Sequence, residues 1–497
     1  KLQLQYQQQK QYLFKFLDNE NGELCNSYPN LIVVPKRLKD EEITSIKQFR
    51  SRQRIPVLSY GFKNTKKNNQ ITTLWRCAQC LSGILSRNLQ DEQLFKYIGQ
   101  TSKQNINVHI YDARPQINAL VNRVQGKGYE NTDYYDNCQL IFLGIHNIHK
   151  MRYSYIEMQK ATREIDQKQY LINIQLTSWL EHIQGIFSGI NRIVNSLIQG
   201  INVVVHCSDG WDRTAQLVSL SQILIDPYYR TIKGFQSLVD KEWICFGHQF
   251  FHRLGHGQKN IEGEFSPIFI QFLDCVHQII LQFPLSFEFN QIFLVDIAFH
   301  LYSCKFGNFL CNNYQQMKYN QVFEETDSLW VFLNNQKEKY LNPFYLNGVI
   351  DDILIVDISI NNFKVWEQYF FCYHKELLDK YNIFQDKCKF NQQIFNLFIF
   401  IFNKRDNIYE LHTQQIQQNQ RLSKEIMQKN KQLEDFERMK KQNKELIEIV
   451  KIYENILDQQ NLNFNDIQKY KSELEKFANK IKQNQLQEEY EIIEKKQ

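Results

Sequence analysis

Val203-Val-Val-His-Cys-Ser-Asp-Gly-Trp-Asp-Arg-Thr214 is a hydrophobic run that ends in His206-Cys207 and continues through a short loop. Arg213-Thr214 then opens an amphipathic stretch with Leu217, Leu220 and Leu224 on one side. The segment reads as strand, loop and helix. At such a junction the backbone N–H groups of Ser208 to Arg213 can wrap an anion, with the positive end of a helix beneath it. Arg213 adds a guanidinium whose paired donors match the oxygens of a phosphoryl group. The same positive field favours the thiolate of Cys207, which makes the sulfur a nucleophile. The Thr214 hydroxyl is expected to donate to that sulfur.

Outward from this segment, short apolar runs alternate with amphipathic ones. Leu31–Val34, Asn107–Tyr111, Leu140–Leu143 and Asn202–His206 read as buried strands. Asp40–Phe49 and Thr177–Gly200 read as helices, the second with Trp179, Ile183, Ile186, Phe187 and Ile190 on one face. The expected fold class is α/β, a cysteine-dependent phosphatase fold with a mixed central sheet flanked by helices. Arg50, Arg52 and Arg54 alternate as on one face of a strand, and are expected to form structural ion pairs rather than a headgroup patch.

The end of the chain has a different pattern. All 8 prolines lie at or before Pro343, and no glycine or proline follows Gly348. From Leu422 onward apolar residues recur every three or four positions, and acids and bases balance over residues 410–497. An apolar stripe within a mixed-sign surface predicts an α-helical coiled coil, and hence homo- or hetero-dimerisation. The expected division is an N-terminal Gln-rich remnant over residues 1–19, a phosphatase domain over 20–405 and a coiled-coil tail over 410–497.

Composition narrows the function classes. Of 497 residues, 59 are Lys or Arg and 54 are Asp or Glu, so the formal charge of +5 is too weak to predict a nucleic-acid partner. With 43% hydrophobic residues, the chain is not disordered as a whole. No apolar run approaches the roughly 18 residues that span a bilayer, and no signal peptide is expected. The 11 cysteines are read as reduced thiols. The lone Cys77-Ala-Gln-Cys80 lacks the second half of a zinc site, so no metal is expected.

Cys and Arg six positions apart, after a strand and before a helix, form the pattern of cysteine-dependent phosphatases. This loop also holds two acids. Asp212 is the candidate general acid and base, its alternative role being a salt bridge that braces the loop. Trp211 is expected to pack on the loop's outer wall or meet a lipid interface.

The stretch His206–Thr214 resembles the signature loop of the myotubularin phosphoinositide 3-phosphatases. Phe49-Arg-Ser-Arg-Gln-Arg-Ile-Pro-Val-Leu-Ser59, Asp112-Ala-Arg-Pro115, Gly128-Tyr-Glu130, Ile145-His-Asn-Ile-His149, Tyr228-Tyr-Arg-Thr-Ile232 and Gly255-His-Gly257 are similar to further blocks of that family. The resemblance implies removal of the D3 phosphate from phosphatidylinositol 3-phosphate and, in the family, from the 3,5-bisphosphate, without metal or other cofactor. It assigns Cys207 as nucleophile, Arg213 as phosphate clamp and Asp212 as acid and base. Ser208, Asp209, Gly210 and Trp211 would complete the D3 grip. Asn122, Asn147 and Ile148 would contact the D1 phosphodiester, and Arg253 would read a D5 phosphate. Gln249 stands where the family commonly has a second Arg, which weakens the expectation of bisphosphate preference. The resemblance also implies a cytoplasmic enzyme on endosomal membranes, and an N-terminal PH-GRAM domain for which only about twenty residues are present, so a longer protein is expected. Two other readings stay open: a protein tyrosine or dual-specificity phosphatase, and a coiled-coil scaffold with little activity.

Overall fold

The computed structural model describes residues 13–64, 70–83, 86–102, 105–164, 166–256, 263–345 and 353–372, with isolated helical positions between 469 and 480. The chain divides into two compact units, Lys1–Asn382 and Ile383–Gln497, and nearly all described residues belong to the first. Apart from those isolated positions, the expected coiled coil lies outside the described residues.

The first unit begins with a small antiparallel pair, β1 (Phe14–Asp18) and β2 (Leu31–Pro35), followed by α1 (Asp40–Phe49). The central sheet contains β3 (Val57–Asn64), β4 (Gln70–Ala78), β5 (Val108–Asp112), β6 (Cys138–Phe142) and β7 (Asn202–Cys207) in the order β3-β4-β7-β5-β6. Only β3 is antiparallel to its neighbour; β4, β7, β5 and β6 run parallel. The mixed α/β architecture matches the expectation. The strand that carries the decisive segment is the middle one, and all six of its residues are buried. Its continuous Val203-Val-Val run is what a strand covered on both faces requires.

Helices flank and follow that sheet: α2 (Leu89–Gly99), α3 (Gln116–Val124), α4 (Ile148–Ala161), α5 (Gln167–Leu176), α6 (Trp179–Gln199), α7 (Arg213–Ile225), α8 (Ile232–Val239), α9 (Phe250–Leu254), α10 (Ile268–Gln282) and α11 (Gln291–Ser303), with shorter helices beyond. The apolar stripe of α6 buries Ile183, Ile186, Phe187, Ile190, Ile193 and Leu197. Gly200 closes this helix at φ +94, a left-handed position that suits glycine. The next helix, α7, is buried on every side, so its polar residues must bond internally. Ser219 donates to the Ala215 carbonyl at 2.6 Å, and the Gln216 amide donates to Gln271 at 3.0 Å.

Register aligns the strand ends. Ala78 stands beside Cys207, while Asp112 pairs with His206 on one side and Phe142 on the other. The carboxyl ends of four parallel strands are therefore level, which is where α/β sheets open their crevices.

Arg50, Arg52 and Arg54 do not share a strand face, contrary to the expectation from alternation. Residues 51–53 form a short 3-10 turn in which Arg52 and Gln53 have φ of 55° and 60°. Arg50 and Arg54 turn inward and are buried, whereas the Arg52 side chain is 64% exposed.

Asp274 on α10 joins two of the covering helices, accepting from Trp179 Nε1 at 2.8 Å and from the Gln278 amide at 2.8 Å. Burial outweighs these bonds and raises its carboxyl from 3.8 to about 6, a difference of about 3 kcal/mol between the two protonation states. The folded state then holds a proton that the unfolded chain has released. The contribution is complete below pH 3.8 and is lost as pH rises through 6. Urea midpoints measured across that window should fall for the wild type more steeply than for Asp274→Asn; parallel profiles would refute the assignment.

Candidate active site

The loop from Ser208 to Asp212 is held from outside by arginines. Arg54 and Arg76, both fully buried, donate to the same carbonyl oxygen of Gly210, at 3.0 and 2.9 Å. Gly210 itself has φ +77, and a Cβ there would lie 2.3 Å from the Cys77 carbonyl oxygen. Only glycine fits both conditions. In this turn the Gly210 N–H points inward and donates to Cys207 Sγ at 3.3 Å. The sulfur thus receives a backbone donor. Thr214 does not supply it: the Thr214 hydroxyl is buried and has no hydrogen-bond partner. The expected threonine contact is replaced by one that the loop's own backbone makes.

Asp209 is engaged by the turn at residues 51–53. Its carboxylate accepts from the Ser51 hydroxyl at 2.9 Å and lies 3.7 Å from Arg52 Nε. The Trp211 ring lies 5.6 Å from the Arg52 guanidinium and 5.8 Å from that of Arg54, within cation–π range. Its carbonyl bonds His248 Nδ1 at 2.9 Å. Ser208 is half-buried beside them.

Arg213 is buried and donates one Nη to the Ile145 carbonyl at 3.0 Å, leaving its Nε without a partner. A buried guanidinium with an unused donor is suited to an anion in the loop. Asp212 is a carboxylate. Arg253 grips it with Nε at 3.1 Å and Nη2 at 2.9 Å, and His248 Nδ1 is 3.3 Å away. Burial works to raise its pKa, yet Arg253 and His248 together hold it well below the usual carboxylate range. Arg253 is itself buried and reaches Glu264 with its other nitrogen at 2.6 Å. Sequence reasoning put Asp212 and Arg253 at different subsites, whereas the fold makes them one ion pair.

Beneath the loop runs a second charged chain. Arg50 pairs with Asp91 and Glu130, all fully or almost fully buried, and Glu130 lies 3.0 Å from His206 Nε2. For His206, burial lowers the pKa but Glu130 and Asp112 more than reverse it, so its imidazolium form is favoured. For Glu130, burial acts to raise, and His206 and Arg50 pull it far down. Arg114 is held by Asp112 and by the Gln79 side chain, and Gln79 N–H donates to the carbonyls of Cys207 and Ser208 at 3.1 and 3.2 Å.

The other expected residues make local contacts. Asn147 caps α4, accepting from the Lys150 N–H at 3.2 Å. Ile148 follows it, and its carbonyl accepts from Ser266 at 2.9 Å. Asn122 is half-buried on α3, with its carbonyl receiving the N–H of Lys127 at 3.0 Å. The Gln249 amide donates to the Gly247 carbonyl at 2.9 Å. Arg76, Gln79 and His248 were not singled out from the sequence, and Arg54 only as one of three alternating arginines. Arg76 had a signal, as a lone charge in the apolar Leu74-Trp-Arg-Cys-Ala78 run; His248 had none. Cys77 and Cys80 are buried, and burial pushes Cys80 up to about 12. Among the described residues, no cluster of three His, Cys, Asp or Glu is arranged to hold a metal.

Removing Arg50 should expose how much this lower chain matters. Arg50→Met leaves Asp91 and Glu130 buried without their cation and should cost about 3–5 kcal/mol in chemical denaturation. An unchanged midpoint would show that the pairs are dispensable.

Residues 1–318 match the myotubularin-like phosphatase domain. Over 356 residues the chain is 45% identical to myotubularin of Xenopus laevis, covering 71% of this chain and 58% of that protein. It is 44% identical over the same length to phosphatidylinositol-3,5-bisphosphate 3-phosphatase MTMR2 of Mus musculus, with coverage of 71% and 54%. The protein of the same name from Gallus gallus is also 44% identical, with 71% and 61% covered. The chain thus matches between 54 and 61% of the length of these relatives.

Proposed function

The chain belongs to the myotubularin-like phosphatase family, and we propose that it removes the D3 phosphate of phosphatidylinositol 3-phosphate, and of the 3,5-bisphosphate, through a phosphocysteine intermediate. The observations that carry this reading are the buried Arg213 with an unused Nε at one end of the loop and, at the other, a Cys207 sulfur that accepts the Gly210 N–H. The relatives named for bisphosphate 3-phosphatase activity support the substrate class.

In the first step the Cys207 thiolate attacks phosphorus and the bond to the inositol oxygen breaks. Arg213 and the loop N–H groups hold the equatorial oxygens, whose charge grows in the transition state. Asp212 gives a proton to the departing oxygen. Water then attacks the phosphocysteine, Asp212 takes its proton back, and the thiolate leaves with release of inorganic phosphate.

The resting ion pair bears on this cycle. Asp212 paired to Arg253 is ready as a base but not as an acid. A dianionic phosphate arriving in the loop adds like charge and attracts Arg253, and both effects favour protonation of Asp212. Substrate binding would therefore arm the acid. Arg253 in turn is the proposed D5 contact, and a D5 phosphate would compete with Asp212 for the same guanidinium. Binding through a coiled coil over residues 410–497, to a second copy or a relative, and peripheral attachment to endosomal membranes complete the proposal.

Phosphate release from a panel of phosphoinositides and a phosphotyrosine peptide tests it. Release from 3-phosphorylated lipids by the wild type and none by Cys207→Ser is expected; release only from the peptide would overturn the lipid reading. Asp212→Asn should slow turnover by about 10² to 10⁴, the usual worth of general acid catalysis, and an unchanged rate would return Asp212 to bracing the loop. Gln249→Arg should raise bisphosphate turnover relative to monophosphate. No change in that ratio would remove position 249 from the D5 subsite.

A further inference from the structure

An Asp at the N-cap of a helix normally turns its carboxylate onto the first N–H groups of that helix. Asp212 stands at the N-cap of α7 and makes no such bond. Its carboxylate meets residues 248 and 253 instead, where one short stretch of chain supplies two partners. Arg253 takes both oxygens, with Nε 3.1 Å from Oδ1 and Nη2 2.9 Å from Oδ2. His248 takes one. Its Nδ1 lies 3.3 Å from Oδ1 and 2.9 Å from the Trp211 carbonyl oxygen. Oδ1 therefore faces two donors, whereas among the described residues Oδ2 receives only Arg253 Nη2.

The imidazole can give a hydrogen bond in one direction only. Both atoms facing Nδ1 are acceptors, so Nδ1 carries the hydrogen. Nε2 is buried and has no hydrogen-bond partner among the described residues. The ring stands T-shaped to Trp243 and Phe250, with centroids 4.9 and 4.7 Å away and interplanar angles of 80° and 86°. A phenyl ring would suit these neighbours better, since it has no buried nitrogen to leave unpaired. What the position retains is the Nδ1 donor. The backbone is fixed as well: the His248 N–H donates to the Trp243 carbonyl, and the Phe250 N–H to the His248 carbonyl, each at 2.8 Å. With its side chain 1% exposed, His248 can act on a ligand only through the loop it holds.

We propose that His248 is a positioning residue for the acid–base step: its Nδ1–H holds Oδ1 of Asp212 and the Trp211 carbonyl while Arg253 responds to the bound phosphate, which leaves Oδ2 to carry the proton. The inference rests on the lipid-phosphatase reading above, in which Asp212 protonates the departing oxygen. Arg253 has a second partner in Glu264 and is the residue that a D5 phosphate would attract. The His248 donor bonds only the loop, so it keeps the carboxyl group oriented when the guanidinium turns away. A proton settles on the carboxylate oxygen with fewer donors, and that oxygen is then Oδ2.

The test uses the full chain and the soluble dibutanoyl form of phosphatidylinositol 3-phosphate. His248→Phe fills the aromatic surround and removes the donor. His248→Asn keeps a side-chain N–H near the place of Nδ1, and His248→Gln moves it toward the place of Nε2. His248→Phe and His248→Gln should each lower kcat about 10- to 100-fold, part of what general acid catalysis is worth, with KM within about twofold. His248→Asn should stay within about fivefold of the wild type, because the donor survives at the right atom. On an Asp212→Asn background, His248→Phe should cost no more than about a further twofold, since the carboxyl group it positions is gone. Urea midpoints identify any variant that does not fold, and His248→Gln then replaces His248→Phe in that comparison. An unchanged kcat without the Nδ1 donor, equal losses in the Asn and Gln variants, or losses that multiply with Asp212→Asn would each overturn the proposal. If the wild type hydrolyses only a phosphotyrosine peptide, the lipid reading fails, and the same comparison on the peptide decides the role of His248. A folded wild type inactive on both overturns both.

Discussion

Two buried guanidiniums sharing one carbonyl oxygen organise this molecule. Arg54 and Arg76 both donate to the oxygen of Gly210, and burying two cations this close is costly unless each finds further partners. Arg76 finds Glu242, and Arg54 finds the carbonyl of Phe246 and both the hydroxyl and carbonyl of Ser27. These partners come from parts of the chain far apart in sequence. The loop conformation is therefore set by the closing of the whole domain around it, and the N–H that faces the sulfur is aligned as a consequence.

The charges around the loop form alternating chains rather than a diffuse positive field. One runs Asp91, Arg50, Glu130, His206; another runs Glu264, Arg253, Asp212, His248. Within such chains each group is neutralised by its neighbours, so a new anion in the loop changes the balance of the nearest pair. That is why Arg253 and Asp212 are coupled: a guanidinium forked on a carboxylate cannot also fork on a phosphate. In the proposed reaction, this pairing keeps a buried carboxylate from being unpaired at rest and would leave its protonation state to the ligand.

Legibility differed between elements for identifiable reasons. The strand Asn202–Cys207 and helix α6 were readable because long one-sided or two-sided burial leaves a continuous or periodic apolar pattern. The turn at residues 51–53 was not, since Arg-Ser-Arg-Gln-Arg alternates like a strand while its positive φ values arise from the partners that Arg50 and Arg54 find inside. The Thr214 hydroxyl was assigned to the sulfur by proximity in sequence, but the Gly210 turn brings a backbone donor there first. Among the site residues, Cys207, Arg213 and the loop between them were legible from spacing alone. The pairing of Asp212 with Arg253, 41 residues apart, carries no periodic or local mark.

By itself the sequence determined the parts: a phosphate-sized loop between a buried strand and a helix, a cysteine and an arginine at its two ends, and an apolar pattern able to build a covered sheet. Those depend on local geometry, which spacing encodes. The tertiary structure alone decided which charges meet. Ionic partners are chosen by burial and by the position of distant elements, so the neutralisation of Arg50 and the pairing that keeps a buried Asp212 ionised emerge only on folding. The exposure of the apolar stripe of α3, Ile117, Leu120, Val121 and Val124, has the same origin. Periodicity marks a helix as amphipathic, and the surrounding fold decides whether that face looks to the core or to the solvent.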